Sequence, residues 1–309
     1  MTLEKQEDFQ AGFVAVVGRP NVGKSTLINA LVGQKIAAVS YKPQTTRQRQ
    51  LGILTEDAFQ IVFIDTPGLH IPVHKLGRAM NMVAQQALEE ADGILWIIDL
   101  SQEICEEDHL IAQRLKAQRN LPALILALNK VDAVDAPTLQ IRSQEYALLI
   151  SAVEVVRISA LYSTNLDDLK AVIFKHLPQG APFYPPDQVT DYYERDIAAD
   201  LIREAALQHL QQEVPHAIAV RIDQYKEREE KGALITATIF VEKESQKGIV
   251  IGKGGAMLKG IGIHARQAIE KMSGRKVFLE LRVKVNKNWR NNENILRRMG
   301  FPALEKEQE

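Results

Sequence analysis

The 309-residue sequence predicts two domains: an α/β domain with a mostly parallel sheet and helices on both faces, then a small α+β domain. Three observations predict this. Apolar runs FVAVVG (13–18), FQIVFID (59–65), ILWIID (94–99), ALILALN (123–129) and VVRIS (155–159) alternate with helical patterns over 75–91, 106–118 and 165–177. Continuous Val/Ile/Leu runs suit strands covered on both faces of a parallel sheet. The alternation stops at PQGAPFYPPDQ (178–188), whose four prolines in 11 residues cannot continue a helix. Beyond it the order becomes helix, two strands, two helices and a strand.

The first domain is therefore expected over 1–180 (core 10–177), a proline-rich linker over 178–190, and the second domain over 191–309. LGILT (51–55) reads as a weaker, edge strand of the first sheet. In the second domain a helix over about 191–211 precedes strands HAIAVRIDQY (216–225) and ALITATIFVE (233–242), joined by the charged hairpin KEREEKG. A glycine loop, a helix to about 272 and the strand KVFLELRVKV (276–285) complete it.

Composition limits the functional classes. With 46% hydrophobic and 25% charged residues, a sizeable core is available. The single cysteine, Cys105, rules out an intrachain disulfide scaffold and suits a reducing compartment. Its acidic neighbours (EICEED) disfavour a thiolate. The polar start MTLEKQEDFQ and the lack of an apolar run near ~18 residues point to an intracellular, soluble protein. The net charge of −1 hides an asymmetry: residues 247–298 hold 13 Lys/Arg against three acids, a local net of +10, leaving −11 for the rest. A basic region on an acidic chain is a footprint for a polyanion.

Gly18-Arg19-Pro20-Asn21-Val22-Gly23-Lys24-Ser25 matches G-x-x-x-x-G-K-[ST] between a strand and an amphipathic helix opening at Ser25-Thr26. Backbone N–H groups there can cradle phosphates. Lys24 would reach the β- and γ-phosphates, and Ser25 would give its hydroxyl to Mg2+. Asp65-Thr66-Pro67-Gly68 ends the next strong strand, where a carboxylate faces the ligand crevice. Asp65 would hold Mg2+ through water, and the Gly68 N–H would approach the γ-phosphate. Thr45 and Thr46, in the polar loop YKPQTTRQR (41–49), both qualify to complete the Mg2+ shell. Asn129-Lys130-Val131-Asp132 follows the ALILAL strand. Guanine presents adjacent N1–H and N2–H donors that two carboxylate oxygens of Asp132 can meet, and adenine lacks that pair. Asn129 and the Lys130 stem would brace base and loop. The Ala160 N–H in Ser159-Ala160-Leu161 can meet guanine O6. The pattern thus selects GTP/GDP over ATP. Leu69, directly after Asp65–Gly68, cannot orient water, so slow hydrolysis is expected. Asn21 offers a ligand for K+, whose charge would lie beside the transferring phosphoryl group.

The second glycine loop, Ile251-Gly252-Lys253-Gly254-Gly255, lacks G-K-[ST] and any guanine-reading box downstream. It matches G-x-x-G between two helices, as in a KH domain that clamps an RNA backbone. Lys253 aims charge at phosphate, Lys247 and Lys259 flank it, and Ile249, Ile251, Ile261 and Ile263 offer a groove for bases. His70 and His74 are spaced i, i+4, but Pro72 interrupts any helix and no third metal ligand is evident. Trp96 and Trp289 read as packing residues, though an exposed Trp289 could touch RNA instead.

These boxes, the Thr-Thr-Arg of the polar loop, Leu69, the glycine loop and the ending KVNKNWRNNENILRRMGF together resemble the Era family of GTPases over nearly the whole chain. Related families share only parts: one has two GTPase domains, another ends in a cysteine motif absent here. The resemblance implies a P-loop GTPase domain followed by a KH domain that binds the 3′ end of 16S ribosomal RNA. It implies assistance to maturation of the 30S subunit, with the GTP-bound form competent for RNA. A cytoplasmic monomer is expected, and the resemblance extends to peripheral association with the inner membrane. The competing reading is a GTP-dependent scaffold that docks on a protein or membrane with incidental turnover.

Overall fold

The structure, a computed structural model, describes residues 9–40, 42, 46–228 and 232–304. Two compact units divide the chain. One takes Met1–Gln34, Thr46–Ile71 and Met80–Asp191; the other takes Lys35–Thr45, Pro72–Ala79 and Tyr192–Glu309.

The first unit is built on strands β1 (Gln10–Val17), β2 (Gln50–Thr55), β3 (Phe59–Asp65), β4 (Gly93–Asp99), β5 (Ala123–Asn129) and β6 (Glu154–Arg157). They form one sheet in the order β2-β3-β1-β4-β5-β6. All pairings are parallel except β2 with β3, so β2 is an antiparallel edge. Helices α1 (Lys24–Val32), α2 (Lys75–Glu90, in this unit from Met80 on), α3 (Glu106–Lys116), α4 (Ala136–Leu149) and α5 (Leu166–Phe174) alternate with the strands. Every residue of β3 and β4 is buried, as strands covered on both faces require. Trp96 packs in this core edge-on to Tyr146, with ring centroids 6.1 Å apart. Helix α4 starts where Asp135 accepts a bond from Thr138 N and a proline occupies the first turn.

The proline-rich stretch lies along this unit's sheet. Pro178 O accepts from Ala11 N, and Val189 O accepts from Ile53 N. The buried Gln60 carboxamide accepts from Phe183 N (2.7 Å) and Tyr184 N (3.0 Å) while donating to Tyr184 O (2.9 Å). Prolines lack the N–H that would let a helix form, so the strap's remaining amides find partners on the strands.

The second unit contains α6 (Glu194–His209), α7 (Val214–Ala217), β7 (Ala219–Arg228), β8 (Gly232–Val241), α8 (Glu244–Ile251), α9 (Ala256–Ser273), β9 (Val277–Val285) and α10 (Glu293–Arg298). Its sheet runs β7-β8-β9, antiparallel then parallel. The tip of the expected hairpin, 229–231, lies outside the described residues. Two short helices, α7 and α10, have no counterpart in the sequence reading; both span under two turns, too short for periodicity to register. Trp289 is fully buried and donates from Nε1 to Ala217 O at 2.9 Å, so it packs. Among the described residues no helix is long and apolar enough to cross a membrane.

Candidate functional site

Strand β1 lies between β3 and β4: the chain leaves β1 toward β2 and β3 on one side, and leaves β3 toward β4 on the other. Open α/β sheets bind ligands outside the carboxyl ends of strands at such a switch point. The register sets Val16 beside Asp65 and Asp99 beside Asn129, aligning three polar groups at that rim. The Gly18–Gly23 loop then turns directly into α1. The first hydrogen bond of that helix is Leu27 N to Gly23 O, which leaves the N–H groups of Lys24, Ser25 and Thr26 available to phosphate oxygens.

Lys24 is buried in the loop and donates from Nζ to Gly18 O (3.1 Å) and Arg19 O (2.8 Å). Burial pushes its ammonium down to about 8, against the pull of the Asp65 and Glu107 carboxylates. A bound triphosphate would replace the missing solvation and hold that proton in place.

Three hard oxygens converge beside it. Ser25 Oγ donates to Asp65 Oδ2 at 2.8 Å, Thr46 Oγ1 donates to the same oxygen at 3.1 Å, and the two hydroxyls are 2.9 Å apart. One carboxylate and two hydroxyls suit Mg2+, which prefers oxygen ligands and keeps sites open for water and phosphate. Thr46, one of the two candidate threonines, is brought to this triad; Thr45 lies outside the described residues.

The Asp65–Gly68 turn is fixed to its surroundings. Thr66 Oγ1 donates to Val16 O at 2.8 Å. At Gly68, which follows Pro67, an added Cβ would lie 2.7 Å from Pro20 N, so only glycine allows the turn to meet the phosphate loop. Leu69 is 0% exposed and packs in the core. His70 Nδ1 lies 2.8 Å from Gly68 O, and Asn81 Nδ2 donates to His70 O at 2.9 Å.

Asn129 is a strut between three motifs. Its Nδ2 donates to Val22 O (2.8 Å), and its Oδ1 accepts from Ala160 N (2.9 Å). A Cβ at Gly23 would stand 2.4 Å from that Nδ2. The Ala160 N–H, expected on guanine O6, is therefore already engaged, and a guanine would have to share it. Lys130 Nζ donates to Asp99 Oδ2 (2.6 Å) and Asn21 O (3.2 Å), laying its stem across the base end of the site. Asp132 is exposed in the single turn Val131–Ala133, where its carboxylate can meet a ligand. Tyr162 N donates to Ser159 Oγ at 3.3 Å, shaping the loop that carries exposed Leu161. The sequence reading missed Asp99 and Asn81, and it took His70 only as half of a spaced histidine pair. Only Asp99 left a signal, an acid ending a buried strand.

In the second unit, α8 ends at Gly252 and α9 begins after Gly255. Gly252, Gly254 and Gly255 all hold positive φ (72°, 58° and 80°). Their surroundings differ. A Cβ at Gly252 would collide with Met257 N at 2.9 Å, whereas at Gly254 and Gly255 nothing lies within 4 Å. Gly252 thus serves the turn, while Gly254 and Gly255 leave room for a close-approaching backbone. Lys253 and Lys259 are exposed, and half-buried Lys247 stands 4.0 Å from Glu244. A groove beside the loop is lined by Leu258, Lys259, Ile263, Arg266 and Phe278, among others. Ile249 and Ile263 are exposed and Ile251 half-buried, but Ile261 is in the core, a correction to the expected groove. Phe278, 67% exposed on edge strand β9, takes the vacated role of an apolar wall.

The chain matches the family described as 50S ribosome-binding GTPase over residues 13–130 and the KH domain family over 213–290. It is 44% identical over 294 residues to GTPase Era of Staphylococcus haemolyticus (strain JCSC1435), covering 95% of this chain and 98% of that protein. A crystal structure of Era in complex with MgGDPNP and nucleotides 1506–1542 of 16S ribosomal RNA is similar at 41% identity and TM-score 0.88, covering 94% of this chain and 98% of that one. The Era of Aquifex aeolicus, solved as a point variant bound to GDP and aluminium fluoride, is similar to the same extent, with TM-score 0.88, 41% identity and the same 94% and 98% coverage. With a nucleotide crevice and an open glycine loop on one chain, and likeness over nearly its whole length, the chain belongs to the Era family of GTPases.

Proposed function

We propose that this protein hydrolyses GTP and uses its nucleotide state to govern binding of the 3′ end of 16S ribosomal RNA, in assembly of the 30S subunit. The observation that carries the RNA half is the pair of open positive-φ glycines, Gly254 and Gly255, beside exposed Lys253. The family description matched over 13–130 names the 50S subunit, whereas the solved relative holds 16S RNA. The second is the better guide, because that likeness includes the unit bearing the glycine loop.

In the nucleotide site, the amides from Gly18 to Thr26 would wrap the phosphates, and Asp132 would read guanine. Ser25, Thr46 and Asp65 would hold Mg2+, which when bound supplies positive charge at the β- and γ-phosphates. Lys24 adds a second fixed charge where negative charge develops. Leu69 supplies no water-orienting group, so turnover is slow unless another charge enters. Asn21, exposed at the loop's outer edge with φ 65°, would help ligate K+ there. Hydrolysis is accordingly expected to run faster in KCl than in NaCl at equal ionic strength; equal rates would remove K+ from the account.

Along the RNA strand, Ile251 and Gly252 shape the turn while Lys253, Lys259 and Lys247 meet phosphates. Filter binding of a single-stranded 16S 3′-terminal RNA tests the reading. Gly254→Asp, which places a carboxylate in the open cradle, is expected to weaken binding by roughly tenfold or more, and Lys253→Ala to reduce its salt dependence. Unchanged binding in both variants would favour a scaffold that docks on a protein or on the inner membrane. Strong sedimentation with anionic liposomes in the absence of RNA would point to the membrane.

A further inference from the structure

The second residue of the phosphate loop, Arg19, sends its side chain to α3. Its Nη1 donates to Cys105 Sγ at 3.0 Å, and its Nε stands 3.6 Å from Asp108 Oδ2. Asp108 is 1% exposed, so its carboxylate is out of water. The same Oδ2 accepts from Cys105 N (3.1 Å) and from the hydroxyl of Tyr146 (3.0 Å), a fully buried residue of α4. With the Cys105 thiol, which donates to it at 3.5 Å, three neutral donors orient the carboxylate, and Arg19 brings the opposite charge. A buried carboxylate needs such a partner, and removing one member leaves the other costly.

The backbone side of Arg19 faces the chemistry. Its carbonyl is the closer of the two that seat Lys24 Nζ, at 2.8 Å. On either side the loop is held by close packing: a Cβ at Gly18 would stand 2.5 Å from Ile97 O, and Pro20 lies against Gly68. Between these two packed points, the Arg19 side chain is the tether. A loop carbonyl that shifts would carry the lysine charge away from where it is needed, and displacements near 1 Å cost about 100-fold in rate.

We infer that Asp108 is a positioning residue for GTP hydrolysis: held by Tyr146 and the start of α3, it anchors Arg19 and thereby fixes the carbonyl that seats Lys24. Asp108 meets the phosphate loop at Arg19, through which it acts.

The test compares Asp108→Asn, Arg19→Gln and the double variant in the full chain. Three readouts are needed: the hydrolysis rate at saturating GTP, KM, and the melting temperature. Asparagine keeps the size of the side chain and can still accept from Tyr146 and Cys105. Each single substitution is expected to lower kcat by roughly tenfold, with KM changing less. The double variant should be no slower than either single, because both break one path. Arg19→Lys, which restores the charge, should recover part of the loss. Should Asp108→Asn fail to fold, the pair Arg19→Gln and Arg19→Lys carries the test alone. A kcat within about twofold of the parent for Arg19→Gln, or single effects that multiply in the double variant, would overturn the inference. So would a lowered melting temperature with kcat unchanged, which would mark the network as structural only.

Discussion

Replacing Lys24 by methionine is expected to lower the GTP hydrolysis rate by at least ~100- to 1,000-fold and to weaken GTP binding, without destabilising the nucleotide-free protein. The side chain is buried against the Gly18 and Arg19 carbonyls. Its ammonium is seated inside the loop, whereas the Arg19 side chain runs to α3 and Lys130 reaches the loop at Asn21 O. Arginine would not substitute, because its planar fork cannot occupy a seat made for a compact ammonium. The stability half follows from the same burial. A lysine pushed down to about 8 is one whose charged form the empty fold disfavours. Methionine removes that penalty at similar length, so the melting temperature of the empty protein should hold or rise. Single-turnover hydrolysis and thermal denaturation on the same preparation check both halves. A variant that lost stability in step with activity would mean Lys24 is a packing residue.

Asp132→Asn is expected to cost roughly 100- to 10,000-fold in GTP affinity while raising affinity for xanthosine triphosphate. Two charge-assisted bonds are at stake, each worth about 1.5–3 kcal/mol. Xanthine keeps the N1–H donor but has a carbonyl at C2. A carboxylate repels that oxygen, whereas a carboxamide donates to it and accepts from N1–H. Asp132 is exposed at the turn after β5, so the substitution should not disturb the fold. Asn129 is different. It holds Val22 and Ala160 from its two ends, and its loss would loosen three motifs together. Competition of the two triphosphates against a fluorescent GDP analogue gives the ranking. If GTP remained preferred to the same degree, the base would be read elsewhere.

The centre of the sheet is legible in the sequence because β3, β4 and β5 are almost wholly buried and read as unbroken apolar runs. LGILT is weaker for a physical reason: β2 is the antiparallel edge. The nucleotide motifs are legible because each depends on local spacing at the end of a strand, and the fold gathers strand ends at one rim. Contacts between distant segments leave no such trace. Asp108 looks like an ordinary acid in the first turn of a helix, and its link to Arg19 crosses the chain without any periodic signal. The choice between Thr45 and Thr46 was open for a similar reason, since adjacent identical residues differ only in which way the loop turns. Ile261 was assigned to the groove by nearness to the glycine loop. The helical period instead sends Ile261, Ala265 and Ile269 inward together and leaves Ile263 outside. Phe278 went unnoticed because an aromatic in an apolar strand reads as core until the strand is known to be an edge.

In the proposed function the nucleotide site controls RNA binding at the second glycine loop. The most direct measurement of this control is the affinity of a single-stranded 16S 3′-terminal RNA for the full chain, loaded with a non-hydrolysable GTP analogue or with GDP, at fixed salt. The account predicts tighter binding in the GTP-analogue form, with that difference lost in Gly254→Asp. Equal affinity in the two nucleotide states, with the glycine loop intact and RNA bound, would contradict it.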